Sequence, residues 1–75
     1  MGPVDTVLEW WRTAEDGTEV TSADVCRLTG SDYPAAKLGT ALSKLERFGF
    51  FEGAGVRVIV TTTGCYRYNL WRVRR

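Results

Sequence analysis

Seventy-five residues, 44% hydrophobic and 25% charged, make one small globular domain spanning 1–75, in which every large apolar side chain matters to stability. The sequence has no histidine, which excludes Cys/His zinc sites, Ser-His-Asp and Cys-His triads and imidazole acid–base chemistry; no apolar run reaches the ~18 residues of a membrane-spanning helix. Net charge is only +1, yet residues 1–36 carry two basic and seven acidic side chains and residues 37–75 carry eight and two, so the halves stand at −5 and +6. That asymmetry suits a C-terminal half facing a polyanion, or two halves that pair with each other.

The opening Met1-Gly2-Pro3-Val4-Asp5 has neither a basic nor an apolar leader segment. No signal peptide is therefore expected, the expected compartment is the cytoplasm, and Met1–Pro3 is expected to be unstructured. Cys26 and Cys65 are expected to be reduced and buried rather than joined in a disulfide.

The first predicted element is a helix from about Val4 to Glu15, with Val4, Val7, Leu8 and Trp11 in one apolar stripe and Trp10 at its edge. Asp16-Gly17 stops it. Glu19-Val20 is a short extended piece. Thr21-Ser22-Ala23-Asp24 then opens a second helix through a capping box, with Asp24 in the position usually held by Glu. Val25 and Leu28 are expected to face inward with Cys26 beside them, and Gly30 to end the helix. After Ser31-Asp32-Tyr33, Pro34 suits the first turn of a third helix reaching Arg47. Ala35, Leu38, Leu42 and Leu45 form its apolar face, Ala41 and Phe48 its margins, and Gly49 its stop.

The period then changes from helical to alternating. Val56–Thr61 reads as a strand, Thr62-Thr63-Gly64 as a hairpin tip and Cys65–Val73 as the returning strand. Tyr66, Tyr68 and Leu70 share one face while Trp71 and Val73 fall on the other. Burying both sets requires a twist or bulge near Leu70. The predicted class is α+β, a winged helix of three helices with a C-terminal β-hairpin wing, and its second and third helices form a helix-turn-helix.

On the third helix Lys37, Thr40, Lys44 and Arg47 recur at spacings of three and four, with Ser43 beside them and Glu46 pointing elsewhere. Such a stripe suits phosphate oxygens and guanine edges, although a solvated helix face has the same composition. The hairpin adds Thr61, Thr62 and Thr63 at its tip, Arg57 and Arg67 near its strands and Tyr66 near the tip, hydroxyl and guanidinium donors among which threonine also serves β-propensity alone. Tyr33 suits either a phosphate at the helix start or the edge of the core. The basic tail from Trp71 to Arg75 suits phosphates or plain solvation. Gly53-Ala54-Gly55 lacks the Lys-Ser/Thr of a phosphate loop. No acid, base and nucleophile converge, so no enzyme, metal or cofactor is expected.

The segments VTSADVCRL, AKLGTALSKLERFGFFE and VRVIVTTTGCYRYNLWRV resemble winged-helix DNA-binding domains over nearly the whole chain. They are similar in pattern to the small C-terminal domains of phage, plasmid and poxvirus-type primase-helicases. The resemblance implies binding of double-stranded DNA, in replication or transcription, with the third helix in the major groove and the wing on the backbone. It carries Lys37, Thr40, Lys44 and Arg47 over as helix contacts, with Ser43 their neighbour, and Thr62, Thr63 and Arg67 as wing contacts. The competing expectation is a protein–protein module whose acidic first helix presents Trp10 beside Glu9 and Arg12 to a partner or to a second copy of the chain.

Overall fold

Three helices cover one face of a small antiparallel sheet in the computed structural model, which describes residues 2–75. The elements run α1 (Pro3–Thr13), β1 (Glu19–Val20), α2 (Ser22–Thr29), α3 (Ala35–Arg47), β2 (Phe51–Thr61) and β3 (Gly64–Val73). The class is α+β, as expected. Pro3 is the first residue of α1, and Gly2 caps it by donating to Asp5 Oδ2 at 3.3 Å. The expectation of disorder therefore fails for residues 2 and 3, while Met1 lies outside the described residues. The far end of α1 comes two residues early. There the Arg75 guanidinium donates to the carbonyls of Trp11 (2.6 Å) and Ala14 (3.1 Å) and stacks 4.4 Å over the Trp11 ring. A cation on the last carbonyls is well placed for the helix dipole.

The capping box of α2 forms in full: Asp24 N–H donates to Thr21 Oγ1 at 3.1 Å and Thr21 N–H to Asp24 Oδ2 at 3.0 Å. Gly30 ends the helix in the left-handed conformation. At the end of α3, Phe50 N–H reaches back to Leu45 O and Gly49 N–H to Glu46 O. This closure needs the left-handed backbone that Gly49 adopts at φ 89°.

The strands lie in the order β1-β3-β2. Val20, Phe51, Trp71 and Val73 turn inward onto Val7, Val25, Leu38, Ala41, Leu42 and Leu45 to complete the core. Outside, Arg72 stands between its register neighbours Glu19 and Glu52 and bonds both at 2.8 Å. The expected bulge exists opposite Leu70, but on the other strand. Gly53 pairs with Trp71 and Val56 with Asn69, leaving Ala54 and Gly55 against the single Leu70. Gly55 holds φ 89°, so the extra residue falls where no Cβ interferes. Gly53-Ala54-Gly55 thus belongs to β2, which begins five residues before the expected Val56 because Phe51 pairs with Val73.

Two expectations of burial fail, at Leu28 and at Cys65. Leu28 is 54% exposed on the last turn of α2, where it meets the rim of α1 instead of the core. Phe48 is 75% exposed just past the end of α3. The β3 face bearing Tyr66, Tyr68 and Leu70 is not buried, since no layer packs on that side. Cys65 is exposed on the hairpin and only Cys26 is half-buried; neither is bridged. Among the described residues, no helix is long and apolar enough to cross a membrane.

Candidate nucleic-acid interface

Because Leu38, Ala41, Leu42 and Leu45 fix the inner face of α3, the helical period turns Lys37, Thr40, Ser43, Lys44 and Arg47 to solvent. All five are exposed. Two shallow depressions flank this ridge. Lys37, Thr40 and Lys44 share one of 230 Å³ with Pro3 and Val4 at the start of α1. On the other side, Ala36, Gly39, Thr40 and Ser43 face Arg67 and Asn69 of β3 and Ser22 of α2 across an open cleft of 350 Å³. Small residues keep its floor low: a Cβ built on Gly39 would stand 3.5 Å from Ser22 Cβ.

The structure therefore brings Arg67 to the ridge but not Thr62 and Thr63. They form the turn of the hairpin, roughly 13 Å farther along the strand from Arg67. The hydroxyls also differ in freedom. Thr40 donates to Ala36 O at 3.2 Å, and Thr63 shares contacts with Thr61 and Tyr66. Ser43 and Thr62 have no intramolecular hydroxyl partner among the described residues.

Charge pairing divides the basic half in two. Arg57 bonds Asp24 at 2.9 Å, and Arg72 is held by Glu19 and Glu52. The hydrogen bonds that Arg72 donates to the Glu52 and Glu19 carboxylates keep its guanidinium above its ordinary pKa. Arg75 spends its donors on α1. The pairing of acidic and basic halves thus accounts for Arg57 and Arg72, and backbone carbonyls of the first helix for Arg75, whereas Lys37, Lys44, Arg47 and Arg67 form no ion pair among the described residues. Glu46, the acidic residue nearest the ridge in sequence, accepts from Trp71 Nε1 at 2.9 Å and turns to the sheet. The result is a cationic surface with adjacent hydroxyl and amide groups, suited to an anion of extended shape.

Asn69 was not among the sequence-predicted residues. The signal was available: it stands two residues from Arg67 on an alternating strand, hence on the same face. Tyr33 packs against the core edge and its N–H donates to Ser31 Oγ, which favours the packing role over the phosphate role.

Among the described residues no group of three or more His, Cys, Asp and Glu is placed to hold a metal. No family model, curated protein or solved structure matches the chain.

Proposed function

We propose that the chain is a non-catalytic winged-helix domain that binds double-stranded DNA in replication or transcription. In this reading α3 enters the major groove and the β2–β3 hairpin is the wing. One observation carries it. Lys37, Lys44 and Arg47 lie on the solvent face of α3 and Arg67 faces Thr40 and Ser43 across the cleft, none of them in an ion pair among the described residues, while Arg57, Arg72 and Arg75 are engaged elsewhere. The order helix, strand, helix, helix, strand, strand and the antiparallel sheet are compatible with the winged-helix arrangement.

Fluorescence-anisotropy titration against a random duplex at low salt tests the proposal. Micromolar binding is expected, and Lys44→Glu with Arg47→Glu is expected to abolish it, since both side chains are exposed and the fold does not use them. Undiminished binding by the double variant, or none by the natural chain, rejects it.

A second reading, a protein-binding module, draws on a groove of 320 Å³ between α1 and α2, lined by Thr6, Glu9, Trp10, Leu28 and Thr29. Trp10 stacks on buried Phe51 at 6.4 Å, so replacing it disturbs the core. Leu28→Ala is the clean probe: loss of a partner captured by the natural chain supports this reading, and retention removes it.

A further inference from the structure

Beyond the bulge the β2–β3 ribbon leaves the core. Every residue from Val56 to Arg67 is exposed. Val56, Val58, Ile59, Val60 and Tyr66 keep between 41% and 78% of their surface in water. β2 is a sheet edge over its whole length, because β3 lies between it and β1. Two-stranded ribbons without a third element are marginal in water. An apolar, β-branched edge with unpaired N–H and C=O groups is also a template for another strand.

We propose that this edge is a dimer interface, where β2 pairs antiparallel with β2 of a second copy of the chain. Charge decides the occupant. The stretch Val56–Thr61 carries one charge, Arg57, and Asp24 already answers it at 2.9 Å. The edge is thus electrically neutral and calls for a strand of the same kind, which the same strand supplies. A two-fold pairing about Val58 sets Val56 against Val60 of the partner subunit and Arg57 against Ile59 of the partner subunit. The two guanidinium groups then stand on a diagonal rather than directly opposite, and each is answered by Asp24 of its own chain at 2.9 Å. Val56, Val58 and Val60 share a face, so pairing gathers six valines and converts two ribbons into a four-stranded sheet. With a net charge of +1 per chain, little long-range repulsion opposes it. The pairing engages the six residues Val56–Thr61 of each chain, against the roughly 20–30 a side of a standard stable interface, so association is expected to be weak and reversible.

This inference does not rest on DNA binding, and its test is independent of it. Sedimentation equilibrium of the full chain under reducing conditions, from about 1 μM to about 1 mM, is expected to show a monomer–dimer equilibrium. Val58→Lys places charge at the centre of the pairing and is expected to weaken dimerisation at least tenfold, on the order expected for a charge buried in a strand edge. Val60→Lys, at a position 78% exposed, provides a second variant should the first perturb folding. Leu28→Lys, in the α1–α2 groove, is expected to leave the dimer unchanged. A chain that stays monomeric throughout, a dimer indifferent to both valine variants, or one broken by Leu28→Lys overturns the proposal.

Discussion

Asp24 connects the start of α2 to the hairpin. One carboxylate oxygen accepts from Thr21 N–H at 3.0 Å and from Arg57 at 2.9 Å, and the other from Arg27 at 3.4 Å. Partial burial alone would raise its pKa; the Thr21 N–H and the Arg57 charge outweigh that, and the carboxyl lies below its ordinary value of 3.8. A carboxyl depressed in the folded state stabilises the fold at every pH above its unfolded pKa. That contribution is lost as pH falls through the lower, folded pKa. Replacing Asp24 with Ala is expected to cost about 1 kcal/mol at neutral pH, the usual size of a capping interaction. The deficit should shrink as pH drops below about 4. Urea denaturation of both proteins at neutral and acidic pH measures it, and an equal deficit at both values assigns the effect to something other than the charge.

At the level of elements, α3 contains a testable conflict between stability and access. Gly39 sits in the helix interior, where glycine is weaker than alanine by roughly 0.5–1 kcal/mol, and the 3.5 Å to Ser22 Cβ is ordinary contact that a methyl group tolerates. Gly39→Ala is therefore expected to raise stability by about that amount. If the cleft beside it admits a phosphate backbone, the same change weakens DNA binding, and a gain in both properties would show that the cleft floor is not used. Helix boundaries were legible because caps are local: Thr21 with Asp24, Gly30 and Gly49 act within a few residues of themselves. The ridge was legible because a 3.6 period alone separates Lys37, Lys44 and Arg47 from the leucines. Burial was not legible wherever it depends on what packs opposite. Leu28 has ordinary apolar spacing but meets only the rim of α1, and Phe48 lies just past the last turn of α3. A bulge does lie opposite Leu70, but not for the reason the two faces of β3 suggested, since only the Trp71 and Val73 face is buried; it falls on β2, where Gly55 accepts it, beyond the reach of one strand's pattern.

Across the whole molecule, the decisive quantity is how many cations remain after folding. The basic half carries eight, a number that implies a strongly salt-dependent ligand if all were free. Pairing partners lie far away in sequence, 33 residues for Arg57 with Asp24 and 53 for Arg72 with Glu19, so only the fold reveals which charges are committed. Five cations remain: Lys37, Lys44, Arg47 and Arg67 on the ridge side, and Arg74 beyond the end of the last strand. Each phosphate contact on a duplex contributes about −0.9 to the slope of log affinity against log salt. The slope expected from the four ridge-side cations is therefore roughly −3 to −4, shallower than the basic composition suggests. Arg67→Ala should flatten it by about one while weakening binding to all sequences alike, as loss of a backbone contact does. Arg57→Ala should leave the slope unchanged, because that guanidinium serves Asp24. A slope near −5, or equal flattening by the two substitutions, would mean that internal pairs open on binding and that Arg57 and Arg72, held at Asp24, Glu19 and Glu52, also reach the DNA.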